Sequence, residues 1–364
     1  MFDFSSSNRS HSPSTHVEAC PDQRPPAWFA LCIGNTRSHW AYIEAGSIRA
    51  TWEAPHLTTH DFDNDILPDL QYRSQSTSLH IPIVIASVVP HQTDLWQTGL
   101  DRSAYPYRIL HLADIPLTGL YPTLGIDRAL AGLGVGQRLG FPCLTIDGGT
   151  ALTFTGFSSV ECSRSSLTLP EDGSQEATLH HPPDDSPDDS PDNSLDNSPD
   201  HPSNDSLKPP AMGILIGGAI LPGMGLQYRS LGQQTAQLSA VRSAFEGRGV
   251  RRPFPARRWA RETLGAIDSG IHRAIGAIAW DFITDWRRRY PAAIVAITGG
   301  DAIAIETAIH QHVHERDGRP LSQDEHTRMI VIPEAIVWGM MATLDAIVSR
   351  PDRPDHPDTS GDCW

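Results

Sequence analysis

Cysteine is scarce in this 364-residue chain. Only Cys20, Cys32, Cys143, Cys162 and Cys363 occur, an odd number with no Cys-x-x-Cys spacing. That argues against a disulfide framework or a structural zinc site and suits a reducing compartment. Long apolar runs are missing too, none reaching the roughly 20 residues that a membrane-spanning helix needs. The amino-terminal stretch lacks a charged start followed by an apolar core, so no secretory signal is read there and the expected location is the cytoplasm. A basic groove of the kind that binds nucleic acid is also absent. Arg248, Arg251, Arg252, Arg257, Arg258 and Arg261 form a local cluster, which reads as a solvated loop and helix face. Neither a nucleic acid nor a membrane is expected as a partner.

What the chain does have is acid, unevenly spread. Its net charge is −15, and from Glu171 to Asp205 there are eleven Asp or Glu and no Lys or Arg. One segment thus carries most of the imbalance, and the rest is near neutral. Residues 161–210 are a low-complexity tract of Asp, Ser, Pro and Asn with too little apolar surface to offset the entropy of ordering. Residues 1–26 and 351–364 share that style and read as disordered tails. About 270 residues remain to fold, enough for two domains of modest size, expected at 27–125 and 126–350 with the acidic tract inserted in the second.

Periodicity gives the same order of elements twice. Trp28–Gly34 is an apolar run, and alternating segments His39–Glu44 and Ser47–Glu53 flank Ala45-Gly46, so three strands with a hairpin are read there. A helix about Asp61–Gln71, a strand Ile81–Val89, a short helix and a strand Tyr107–Leu112 follow. The second half has strands Pro142–Ile146, Ala151–Phe157 and Met212–Ile220, then a helix opened by Pro222 and reaching about Leu238. A long amphipathic helix Arg261–Arg289, strand Ala293–Thr298, helix Asp301–His312, strand Met329–Ile332 and helix Glu334–Val348 complete it. The acidic tract falls between the second and third strands of this half, where a surface insertion is cheap.

Three strand ends carry glycine: Gly34-Asn35-Thr36, Asp147-Gly148-Gly149-Thr150 and Thr298-Gly299-Gly300-Asp301. Glycine lets backbone approach a phosphate, threonine offers a hydroxyl, and successive N–H groups can line an anion-binding concavity. A strand that ends in glycine often simply turns. Three in series read as an ATP cradle.

A further element, Leu124-Gly125-Ile126-Asp127-Arg128, lies between the first two loops. Together with Ala86-Ser87-Val88-Val89-Pro90, Gly217-Gly218-Ala219-Ile220-Leu221-Pro222-Gly223 and the second and third loops, it resembles type III pantothenate kinase. The resemblance runs from about Phe29 to Ala346, apart from the acidic insertion. It implies an α/β fold of duplicated ribonuclease-H-like domains, the actin-like ATPase architecture, with ATP in the cleft between them. It also implies phosphorylation of pantothenate to 4′-phosphopantothenate, the entry step of coenzyme A synthesis.

Site roles follow from the resemblance and from the needs of phosphoryl transfer, which are an aligned hydroxyl, a base and screened phosphoryl charge. Asp127 is the expected base, at the start of a helix whose N–H groups can orient anions. Gly125, Ile126 and Arg128 would contact pantothenate, the arginine suiting a carboxylate or phosphate, with Tyr121 beside them by proximity. Thr235 would reach pantothenate from a neighbouring subunit, which implies a homodimer. Gly34, Asn35, Thr36, Arg37 and Thr150 would receive ATP phosphates, and Gly299, Gly300 and Asp301 would lie against the adenosine. Asp147 would hold the monovalent cation, K⁺ or NH₄⁺, that the family requires, and Mg²⁺ would accompany ATP.

One departure stands out. The family's first loop usually reads Asp-x-Gly-Asn-Thr, and here Cys32 occupies the acidic position. A thiol is a poor partner for magnesium. Either Asp147 and the phosphates suffice for the metal, or turnover is weakened and the chain acts as a ligand-binding accessory regulator of transcription. Retention of Asp127, Asp147 and Thr150 favours the enzyme.

Overall fold

The computed structural model describes residues 25–58, 66–74, 81–103, 105–160, 212–234 and 257–349. Residues 1–24 of the first tail, the second tail, the acidic tract and Thr235 lie outside the described residues.

Phe29, Leu31 and Ile33 alternate with Trp28, Ala30 and Cys32 along β1 (Ala27–Ile33), and both sets are buried. A strand covered on both faces belongs at the centre of a sheet. β1 pairs antiparallel with β2 (Ser38–Glu44), which pairs antiparallel with β3 (Ser47–Ala54). Ala45 and Gly46 join the latter two with φ of 48° and 73°, the handedness a tight hairpin requires. α1 (Leu67–Ser74) leads to β4 (Ile83–Ser87), parallel to β1, and α2 (Pro90–Arg102) leads to β5 (Tyr107–Ile109), parallel to β4. Pro90 sits in the first turn of α2, where its missing N–H costs nothing. The sheet order is β3-β2-β1-β4-β5.

The second sheet repeats this plan. A two-residue strand, β6 (Leu117–Thr118), precedes α3 (Ile126–Leu139) and the central strand β7 (Cys143–Gly148). β8 (Ala151–Ser158) and β9 (Gly213–Pro222) pair antiparallel in series beside β7. α4 (Met224–Gln234) and the long α5 (Thr263–Arg289) precede β10 (Ile294–Thr298), and α6 (Ala302–Asp317) and the short α7 (Gln323–Thr327) precede β11 (Met329–Val331). β10 is parallel to both β7 and β11, and the order is β11-β10-β7-β8-β9-β6. Apart from β6, each sheet thus reads third, second, first, fourth and fifth strand, with the same pattern of antiparallel and parallel pairs. The duplication inferred from element order is present, and β6, too short to show periodicity, is the addition.

α8 (Ala335–Val348) packs along α3 in the core that joins the two sheets, with Leu130, Leu133, Met340 and Leu344 buried and Trp28, Ala30 and Cys32 of β1 in the same cluster. A side chain at Gly134 would strike the Ala335 carbonyl, and one at Gly339 would strike the Leu130 carbonyl. The two helices therefore touch backbone to backbone, which fixes the helix that carries Asp127.

One boundary differs from the sequence reading. Pro222 does not open a helix; it ends β9, opposite Ala151, and α4 starts at Met224. β6 pairs only with Gly213 and Ile214, so this end of β9 is a sheet edge, where a residue without an N–H loses no ladder bond.

Candidate active site

The three glycine loops follow β1, β7 and β10, each the central strand of its sheet or the parallel strand beside it. In the first, the Gly34 amide donates to the Arg37 carbonyl at 3.0 Å, closing the turn into β2. The Gly34 carbonyl lies 2.8 Å from Nε2 of His56. Arg37 reaches Glu53 at 2.9 Å with both side chains well exposed, an ion pair worth little to stability. Asn35 and Thr36 are exposed.

The second and third loops are built against each other. The Gly149 amide donates to Ala151, the Gly223 amide to Thr150 and the Asp301 amide to Gly148, at 3.0, 3.0 and 2.9 Å. Gly299 has φ of 86°, and a side chain on it would run into the carboxylate of Asp147 and the Gly148 carbonyl. Only glycine satisfies both demands. Between the lobes, Thr36 Oγ1 and Thr150 Oγ1 are 2.7 Å apart. The first and second loops therefore meet hydroxyl to hydroxyl, one from each sheet.

Asp127 lies in the first turn of α3, where backbone N–H groups have no helical partner. Its carboxylate accepts from the Arg128 amide at 2.8 Å. Burial nevertheless dominates and raises its pKa, against the lowering by that hydrogen bond and by the Arg128 charge. Arg128 itself is 7% exposed. Its Nε donates to Thr155 Oγ1 at 2.9 Å, Nη1 to the Tyr121 hydroxyl at 3.1 Å, and Nη2 to the Phe154 carbonyl at 3.5 Å. Among the described residues every one of these acceptors is neutral, so the guanidinium is oriented but its charge has no ion-pair partner at contact distance.

The two lobes share their electrostatics. Burial, the charge on Asp127 and that on Asp301 push the Asp147 carboxyl up to about 7, although Arg128 opposes them. Burial pushes Asp301 up to about 6. Cys32 is buried and not in a disulfide, and its thiol is raised by desolvation and then by the charges of Asp127 and Asp147. A buried thiol facing two carboxylates stays protonated.

This donor set can be weighed against the expected cations. Among the described residues no three His, Cys, Asp or Glu side chains converge as a ready metal cluster. Yet Asp147 and Asp127 concentrate oxygen donors whose charge Arg128 offsets only in part, and hard cations choose such donors. The set fits a cation held by one or two carboxylates with nucleotide phosphates and water completing its shell.

Gly34, Asn35, Thr36 and Thr150 are thus brought together across the lobes, with Gly299 beside Asp147, and Gly125, Asp127, Arg128 and Tyr121 at the start of α3. Ile126 is buried in the core that joins the sheets. Arg37 is turned to Glu53, and Gly300 has open space beside it. Thr155 and His56 were not foreseen. Each is a lone polar residue whose partner lies far along the chain, and neither carries a local signature.

Two mixed sheets of one topology, facing each other through their central-strand loops, define an actin-like ATPase fold. The particular family is then clear, because the family model described as type III pantothenate kinase matches residues 28–164 and 210–284. The chain belongs to that family, the phosphotransferases that open coenzyme A biosynthesis. It is 33% identical over 291 residues to a type III pantothenate kinase of Synechocystis sp., covering 80% of this chain and 84% of that protein. It is 34% identical over 334 residues to one of Nostoc sp., covering 88% and 95%. Among solved structures it resembles the activator of the 2-hydroxyisocaproyl-CoA dehydratase from Clostridium difficile with bound ADPNP, at 13% identity and a TM-score of 0.40, covering 91% of this chain and 100% of that one.

Proposed function

We propose that this chain transfers the γ-phosphoryl group of ATP to the primary hydroxyl of pantothenate, and that Asp127 is the base. The observation that carries this reading is the position of Asp127. Its carboxylate is half-buried at the start of α3, raised in pKa by desolvation, and electrostatically coupled to Asp147 of the phosphate-loop lobe. A raised carboxylate is a stronger base once ionised, and the alcohol's proton needs an acceptor as the bond to phosphorus forms.

Arg128, buried and without a contacting carboxylate among the described residues, suits the carboxylate end of pantothenate, with Tyr121 and Gly125 beside it. Thr36 and Thr150 receive phosphate oxygens, and Gly34, Asn35 and Arg37 complete the first loop. Gly300, with open space beside it, leaves room for the adenosine, and Gly299 adjoins it. Asp147 holds the monovalent cation, which when bound offsets the negative charge crowded at the phosphates. Mg²⁺ is carried by ATP and water because Cys32 offers it no oxygen. Thr235 completes the pantothenate pocket of a partner in a homodimer. The enzyme works in the cytoplasm; no helix among the described residues is long and apolar enough to cross a membrane.

The test is direct. Full-length protein with pantothenate, MgATP and K⁺ is expected to form phosphopantothenate, detected by mass, and to stop when K⁺ is left out. Tight nucleotide binding with no product under any of these conditions would overturn the reading in favour of the regulator.

A further inference from the structure

The first phosphate loop lacks the acidic side chain that resembles its family's pattern, yet it is held from another direction. The Gly34 carbonyl accepts a hydrogen bond from His56 at 2.8 Å. A carbonyl can only accept, so Nε2 carries the proton and the ring is the Nε2–H tautomer or the cation. His56 follows β3 and is half-buried. Its position is fixed one residue further on, where the amide of Leu57 donates to Gln92 Oε1 at 2.9 Å and the Leu57 carbonyl accepts from Gln92 Nε2 at 3.2 Å. Gln92 is buried in the first turn of α2 and Leu57 is buried against the outer core of the first lobe. A two-point bond between a buried amide side chain and a main-chain unit leaves that unit little freedom.

The consequence for the loop comes from peptide geometry. A trans peptide is planar, so the Gly34 carbonyl and the Asn35 amide point in opposite directions. With the Gly34 carbonyl held by His56, the Asn35 N–H is turned away from His56, one residue before the Thr36 hydroxyl that meets Thr150. That N–H makes no hydrogen bond to any described residue, and Asn35 is exposed. An oriented backbone donor next in the chain to the Thr36 hydroxyl is suited to a phosphate oxygen.

We infer that His56, pinned by Gln92 through Leu57, is a positioning residue that sets the Asn35 amide toward the nucleotide phosphates. The inference rests on the phosphate-loop role proposed for Gly34, Asn35 and Thr36, and nucleotide binding is therefore read separately from turnover.

The experiment compares His56→Ala, His56→Gln and Gln92→Leu in the full chain, with ADP affinity measured by titration calorimetry and KM measured for each substrate. Loss of one net hydrogen bond is about a tenfold effect. His56→Ala is expected to weaken ADP binding and raise KM for ATP roughly tenfold while KM for pantothenate changes less than about twofold. His56→Gln restores a side-chain N–H donor and is expected to recover most of the affinity. Gln92→Leu is expected to show the same ATP-selective loss. Equal loss for both substrates, no loss in folded His56→Ala, or no recovery in His56→Gln would overturn the inference. ADP binding that depends on His56 in a protein without turnover would uphold it while removing the kinase reading.

Discussion

Thr36 Oγ1 and Thr150 Oγ1 lie 2.7 Å apart, so a hydrogen bond joins the first glycine loop to the second, one from each lobe. Both hydroxyls can donate or accept, and a phosphate oxygen entering between them would exchange this bond for two. The pair is exposed, so water replaces a lost partner and folding stability should hardly change. Affinity for ATP should change instead. Thr36→Val or Thr150→Val is expected to weaken nucleotide binding by about 1–2 kcal/mol, with the unfolding free energy altered by less than about 1 kcal/mol. A double-mutant cycle on ATP affinity should give a non-zero coupling, since both hydroxyls serve one ligand. Additive losses would mean that they act on separate groups.

Asp127→Asn separates chemistry from binding. The amide keeps the shape of the carboxylate but cannot accept the alcohol's proton, and kcat is expected to fall ~10²–10⁴-fold with nucleotide affinity retained. The pH dependence has a definite sign. The folded carboxyl is raised by burial, so the acidic limb of the wild-type rate profile should lie above the ordinary carboxylate range. Stability moves oppositely, because a raised group's contribution is full below its unfolded pKa and is lost as pH rises through the folded value. In metal-free buffer the Asn variant should therefore gain on the wild type as pH rises above about 4 and through the raised folded value, as chemical denaturation at several pH values would show.

The strand ends that frame the candidate site were legible because they are local. Gly34-Asn35-Thr36, Asp147-Gly148-Gly149-Thr150 and Thr298-Gly299-Gly300-Asp301 each announce a strand end within a few residues, and the order of strands announces the duplicated sheets. Pairings over long separations were not legible. His56 reaches Gly34 across 22 residues, and Arg128 reaches Thr155 across 27. Such contacts depend on how sheets curl and helices seat, which no local pattern encodes. Pro222 shows the converse, since its helix-opening signal was overridden by pairing with Ala151 at a free strand edge.

Cys32 is a case where the family pattern and the burial pull in opposite directions. It is 7% exposed, and both Asp127 and Asp147 act on it electrostatically. Restoring an acidic side chain with Cys32→Asp would place a third carboxylate in this space. Without a cation, like-charge repulsion and desolvation should lower stability by about 1–3 kcal/mol. With Mg²⁺ and ADP present the new oxygens gain a partner, and mass action should recover the loss. Thermal unfolding with and without MgADP checks this. A variant equally destabilised in both conditions would show that position 32 does not face the metal.

Gly299 and Gly300 adjoin in sequence but differ in what a side chain would meet. At Gly299 the backbone has φ of 86°, and an added Cβ would press on the Asp147 carboxylate; at Gly300 nothing lies within 4 Å. An L-residue at such a positive φ costs roughly 1–2 kcal/mol before any clash. The clash cannot be relieved cheaply, because the Asp301 amide ties this loop to the Gly148 carbonyl at 2.9 Å. Gly299→Ala is therefore expected to destabilise the fold by about 2–4 kcal/mol and to weaken ATP binding by displacing Asp147. Gly300→Ala should leave stability within about 1 kcal/mol of the wild type, and its effect on ATP affinity then reports contact with the nucleotide alone. Denaturant unfolding and ADP titration on the two variants measure both quantities. Equal destabilisation by the two substitutions would mean that Asp147 can move aside, and that its place in the site is not fixed by the third loop.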